Sequence, residues 1–297
     1  MDNDMDSERL TIMKMEIWVC VLGWFASILT MIGNGFVIFL VSSKRHLRSK
    51  TNAFIVSLAV ADFLVGMHVF PSIFFLEVIG LSDQGLYIIL LRLRWLFQDA
   101  SVLSMCSLVL DRYLAVVKPL KYLTFMTSRR VIQLIFFSWG ISVAVILLQS
   151  FLLVKLNAYV LYSSFKVLVI VIFFIFPCML IIFCFASMLR VIYRQNGAAR
   201  ALGKQVPSNN RREKSALIMM SIVVVLFLVY CGVYVRCLIT FWTSHCSEYN
   251  KSIVIIVILN SAANPLAYAH FKGDIRKEIK RLMRVATFRQ RKRIYCR

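Results

Sequence analysis

The chain has 297 residues, of which 60% are hydrophobic and only 16% charged, and its formal net charge is +21. Too little charge is present to cover a soluble surface of that size, so the balance points to a lipid-embedded chain. The positive excess does not indicate nucleic acid as a partner, because the basic residues fall in short clusters between long apolar runs, as juxtamembrane loops do.

A bilayer core requires roughly 20 apolar helical residues. Seven runs meet that length: 17–41, 53–79, 86–110, 131–154, 167–189, 216–241 and 253–269. This predicts an all-α membrane protein, a bundle of seven transmembrane helices. Residues 1–16 are read as an extracellular N-terminus, 17–270 as the membrane domain, and 271–297 as a cytoplasmic amphipathic helix with a basic tail. No cleavable signal peptide is evident, so the first span is expected to act as a signal-anchor. If the N-terminus lies outside, 27 of the 35 Lys and Arg residues fall on the inner side, which sets that orientation. Phe271, Ile275, Ile279, Leu282 and Met283 recur at helical spacing among Lys and Arg. They predict a helix lying on the inner membrane surface, held by its apolar face and by anionic lipid. The cysteines sit mostly inside apolar runs and form neither a disulfide framework nor a metal-binding CxxC pair.

Charged and amide side chains inside spans are rare and usually functional. Asp62 lies mid-way along the second run, and Asp111-Arg112-Tyr113 ends the third. Asn264-Pro265-Leu266-Ala267-Tyr268 closes the seventh. Asn34 follows Gly33 in the first, Trp139 lies in the fourth, and Pro177 in the fifth. This set, one element per span and in this order, resembles the rhodopsin-like (class A) G-protein-coupled receptors over almost the whole chain. The resemblance implies a receptor that binds an extracellular ligand and activates a heterotrimeric G protein as its sixth helix moves outward. It further implies a multi-pass location in the plasma membrane, no enzymatic activity, and arrestin as a further partner.

The resemblance assigns roles residue by residue. Arg112 is the coupling arginine. Asp111 beside it, and Glu213 before the sixth span, hold it at rest; Tyr113 completes the motif, and Tyr268 turns inward on activation. Asp62, Ser101, Asn260 and Ser261 match a buried sodium site. Oxygen donors suit a hard cation; the alternative reading of the same residues is a water-filled polar network without sodium. No cofactor is required, and sodium enters as an allosteric modulator. Pro177 and Pro265 remove backbone donors and are expected to bend their helices.

The sequence departs from the pattern at several places. Tyr87 stands where the family has the cysteine of its outer-loop disulfide, and the short loop 155–166 has no partner cysteine. That absence is similar to the melanocortin receptors, whereas the stretch 111–120 looks as much like amine or adenosine receptors. Cys231 takes the place of the sixth-helix tryptophan and Val233 that of the proline after it; a non-signalling decoy is therefore an alternative, ahead of a seven-helix transporter. Arg94 stands where amine receptors keep an aspartate. An anionic small molecule, lipid or acidic peptide becomes a ligand hypothesis, with Lys166 and Arg236 near the same mouth and Trp95, Gln98 and Cys231 as further pocket candidates. Alternatively Glu77 neutralises Arg94 internally, and Asp99 serves a cationic ligand. Asn250 heads a glycosylation sequon in the third outer loop, and Cys296 is a candidate for acylation.

Overall fold

The computed structural model describes residues 2–77, 84–152, 165, 168–201, 218, 221, 224–232 and 251–295. Among these every regular element is helical. In hydrocarbon the backbone has no water to bond, and a helix is the one open element that satisfies its own N–H and C=O groups. The helices are α1 (Asp2–Ser43), α2 (Lys50–Glu77), α3 (Gln84–Val117), a short α4 (Pro119–Phe125) and α5 (Ser128–Ser150). They continue with α6 (Phe176–Ala201), α7 (224–232), α8 (Lys251–Phe271) and α9 (Gly273–Tyr295). Five stretches are long and apolar enough to cross a membrane: Ile17–Ser43, Lys50–Phe74, Gly85–Val117, Ser128–Ser150 and Leu168–Gly197. Val254–His270 and Gly273–Arg284, bent by 80° at the break between them, make a sixth only when the pair is taken as one span. Of the expected sixth run, 224–232 is helical, with 218 and 221, and the other residues lie outside those described.

Several ends differ from expectation for local reasons. The third helix does not stop at its Asp111-Arg112-Tyr113 motif but runs on to Val117, and Pro119 then opens α4 as its first residue. Proline at that position gives up a donor the helix would leave unpaired anyway. Thr127 caps α5, its hydroxyl accepting from the Arg130 amide at 3.4 Å. Ahead of Pro177 the fifth helix widens into a π turn, Val171–Ile175. A proline cannot donate to the carbonyl four residues back and crowds it, and the wider turn absorbs the mismatch. Pro71 and Pro265 both lie within helices.

Burial is inverted relative to a water-soluble bundle. Large apolar side chains such as Ile32, Phe136, Leu147 and Met179 point outward, each about two thirds or more exposed, as a lipid-facing surface demands. Polar groups are inside: Thr30, Asn34, Asn52, Asp62 and Asp111 are fully buried. α1 packs on α2 and α8, α2 on α3, and α3 on α5 and α6. The α1–α8 approach needs glycine: a Cβ on Gly33 would stand 2.9 Å from the Pro265 ring. Trp139 on α5 donates to Ser57 on α2 at 3.2 Å, and Ser57 pairs with Ser104 on α3, also at 3.2 Å, so one polar chain ties three helices.

Candidate functional site

One end of the bundle gathers the predicted inner segments. Asp111 is fully buried and Arg112 is bound to it through Nε at 3.0 Å and a terminal nitrogen at 2.6 Å. Thr51, in the first turn of α2, donates to the same carboxylate at 2.9 Å and also accepts from Arg112. Tyr122 on α4 donates to the other carboxylate oxygen at 3.0 Å. Burial, and then the Asp111 charge, raise the Tyr122 hydroxyl above its ordinary pKa, which keeps it a donor. Thus α2, α3 and α4 share one closed ionic cluster. Thr51 and Tyr122 were not singled out in the sequence; their signal is only their position beside the two motif-bearing segments. Tyr113 turns to the side, its ring 5.9 Å from Phe183 on α6. Glu213 lies outside the described residues.

α9 docks at the same end. Asn52 on α2 donates to Leu47 at 2.6 Å and to Asp274 at 3.1 Å. Glu278, 5% exposed, faces Lys44 at 3.5 Å, His46 at 3.7 Å and Arg281 at 3.8 Å. Two acidic residues one turn apart in an otherwise basic helix were the available sequence signal for this contact. Between α8 and α9, Lys272 is pressed down to a pKa of about 8, first by burial and then by the Arg112 charge, with Asp274 and Asp111 opposing.

At mid-membrane, Asp62 is fully buried. Ser101 on α3 donates to it at 2.6 Å and Asn264 on α8 at 2.7 Å, and the Ser261 hydroxyl acts on it too. Asn34 donates to the backbone oxygens of Thr30 at 3.0 Å and Ser261 at 3.3 Å, which fixes α1 against this part of α8. Just beyond lies a small cavity, of the order of one water in size. Its polar lining is Ser101, Asn260, Ser261, Gln98 and Tyr230, with Val65, Val102 and Val257 closing it. The Oδ1 atoms of Asn260 and Asn264 and the Tyr268 hydroxyl are buried with no hydrogen-bond partner among the described residues. Buried acceptors of this kind, around a carboxylate that receives only neutral donors, fit a small hard cation. Pro265, between Asn264 and the tyrosine turn, lies inside α8.

The outer-half candidates are less gathered. Gln98 donates to the Tyr230 hydroxyl, joining α3 to α7. Arg94 is partly exposed, with its guanidinium 5.6 Å from the Trp95 ring centre. Arg92, two residues earlier, donates to Gln149 on α5 at 3.1 Å. Asp99 is 5% exposed. Cys231 is buried, and its thiol lies against that of Cys178 on α6. Lys166 and Arg236 lie outside the described residues, as do Cys237, Cys246, Asn250, Cys296 and the side chain of Glu77.

The family described as 7 transmembrane receptor (rhodopsin family) matches residues 33–268. An octopamine receptor beta-2R of Chilo suppressalis is 27% identical across 91% of this chain and 80% of its own length. A probable G-protein coupled receptor No9 of Amphibalanus amphitrite is 42% identical across 40% of this chain and 25% of its own length. A D(1A) dopamine receptor of Didelphis virginiana is 35% identical across 52% of this chain and 35% of its own. For the latter two the match spans well under half of the relative.

Proposed function

The chain belongs to the seven-transmembrane receptors of the rhodopsin family, and from that premise we propose that it answers an extracellular ligand by freeing Arg112 from Asp111. Outward movement of the sixth helix then admits the terminal helix of a heterotrimeric G protein. The supporting observation is the closed cluster of Asp111, Arg112, Thr51 and Tyr122. An ion pair whose carboxylate is fully buried and whose guanidinium is 21% exposed, with two added hydroxyls, is a discrete state, and leaving it frees a cation where the partner docks. Glu213 adds a second carboxylate to the resting lock, and Tyr268 turns toward the opened space. The receptor sits in the plasma membrane with α9 on anionic lipid, and arrestin docks on the same opened end.

The test is nucleotide exchange on a panel of G proteins, using membranes from cells that express the chain or its Arg112→Ala variant. Exchange that is present with the chain and lost in the variant is the expected result. No exchange from a well-expressed surface protein, with any ligand pool, would favour the decoy reading that the altered sixth helix suggests.

Sodium belongs to the same proposal. Asp62, Ser101, Asn260 and Ser261 would hold it, with Asn264 adjacent. Bound there, the ion supplies the positive charge that Asp62 otherwise lacks in a low-dielectric interior.

Two ligand classes divide on residues in hand. The relatives named for octopamine and dopamine favour a small amine, for which Asp99 is the carboxylate in α3. Arg94 favours a carboxylate or phosphate, since guanidinium pairs with planar anions. Arg94→Ala separates them: it abolishes the response to an anion and spares the response to an amine.

A further inference from the structure

Four free thiols gather inside the bundle, and two of them touch. Cys178 on α6 and Cys231 on α7 lie against each other, with Cys106 on α3 and Cys184 on α6 nearby. They differ in access. Cys106, Cys184 and Cys231 are 5%, 1% and 5% exposed, whereas Cys178 is partly exposed. Ile175 and Ile182, one turn before and after Cys178, are 51% and 46% exposed, so this thiol stands at the edge of the lipid-facing surface. An accessible thiol beside a buried one is the arrangement in which an oxidised sulfur is resolved by its neighbour. We propose that Cys178 and Cys231 form a redox site for a hydroperoxide dissolved in the membrane, whose product is a disulfide that fastens the sixth helix to the fifth. The Cys178 sulfur attacks the terminal peroxide oxygen. The O–O bond breaks, the lipid leaves as its alcohol with the thiol proton, and Cys178 becomes a sulfenic acid. The Cys231 sulfur then displaces the hydroxyl, which leaves as water with the second thiol proton. Two thiols are oxidised and one hydroperoxide is reduced. Sulfurs already in contact need only a small approach to reach the roughly 2 Å of the bond. The consequence for signalling rests on the proposed function: tied to α6, the sixth helix is held against outward movement until a dithiol reductant frees it.

The experiment uses the full chain in nanodiscs, one receptor per disc. One set of bilayers contains a phosphatidylcholine hydroperoxide; a parallel set receives the same amount of hydrogen peroxide in the buffer. Mass spectrometry after proteolysis looks for a linked Cys178–Cys231 peptide, lighter by two hydrogen atoms than its halves and split by dithiothreitol. Cys20, partly exposed on α1, controls for access alone, and Cys106 and Cys184 control for general oxidation. The linked peptide is expected with the lipid hydroperoxide, while Cys106 and Cys184 stay unmodified. Cys231→Ser abolishes the link and leaves on Cys178 a sulfenic acid that dimedone traps; Cys178→Ser abolishes both products. Absence of the linked peptide from the unmutated chain overturns the proposal. So does equal oxidation of Cys106 and Cys184, and faster linkage by hydrogen peroxide overturns entry from the lipid. Basal nucleotide exchange is read on the same discs; it falls on oxidation and returns with dithiothreitol. A linked peptide with exchange unchanged overturns the fastening of the sixth helix. A linked peptide in a chain that gives no exchange even when reduced keeps the redox site and sinks the coupling reading instead.

Discussion

Asp62 and Asp111 are both fully buried carboxylates in the same bundle, yet they are treated in opposite ways. Asp111 receives a guanidinium and two hydroxyls, so its charge is answered within the chain. Asp62 receives a serine hydroxyl and an amide, both neutral, beside acceptor oxygens that have no donor among the described residues. The first site is complete and can only be broken; the second is incomplete and can be completed by a cation or a proton. On the proposed function the two serve differently, the first as a closed lock at the end that meets the partner and the second as an open polar core that can be tuned.

Removing the charge at the closed site has the largest expected effect. Asp111→Asn keeps the shape but leaves Arg112 as a partly buried cation with only dipoles to hold it. A fully buried unpaired charge costs roughly 3–5 kcal/mol, and the partial exposure of Arg112 brings the cost below that range. Basal nucleotide exchange rises and the melting temperature in detergent falls. Unchanged basal exchange with a lowered melting temperature would mean the pair is structural and not a lock.

The open site responds more gently. If sodium completes it, the melting temperature of the chain rises as sodium chloride replaces choline chloride at constant ionic strength. At ten times the dissociation constant the gain is about 1.4 kcal/mol by mass action. Asp62→Asn removes the dependence, since the charge that attracts the ion is gone. A sodium response that survives in Asp62→Asn would place the ion elsewhere.

The same contrast explains what could be read from sequence. The helical bundle and the carboxylates at 62 and 111 were legible because long apolar runs mark membrane helices and charge inside such a run is costly and therefore conspicuous. The partners of those carboxylates were half legible. Ser101 and Asn264 followed from helical spacing and resemblance, while Thr51 and Tyr122 did not, because an ordinary hydroxyl near a helix end carries no pattern. Tyr230 was missed for a related reason: it sits in a run of apolar residues, Phe227 to Cys231, where a tyrosine reads as core. Gln98 was taken as a pocket residue, and only the structure supplies its partner. The docking of α9 had a signal in Asp274 and Glu278, one turn apart, but it was overlooked because the basic and apolar faces dominate the pattern, and those point to lipid.

The smallest expected effect concerns the junction of α8 and α9, beside the closed site. Lys272 lies near Arg112, and burial together with that neighbouring charge lowers its pKa from 10.5 to about 8. Protonated Lys272 is therefore disfavoured in the folded chain relative to the unfolded one. Between about pH 8 and 10.5 the unfolded chain binds the extra proton, so stability rises with pH across that window; below it the penalty is fully present. Lys272→Met removes the charge and keeps the length. At pH 7 the variant is expected to be more stable, by on the order of 1 kcal/mol once partial exposure is allowed for. Melting curves at pH 7, 8 and 9 check this: the variant's advantage shrinks above pH 8. An advantage that is constant with pH would assign the gain to packing of the methionine, and the Arg112 cluster would then be indifferent to the cation beside it.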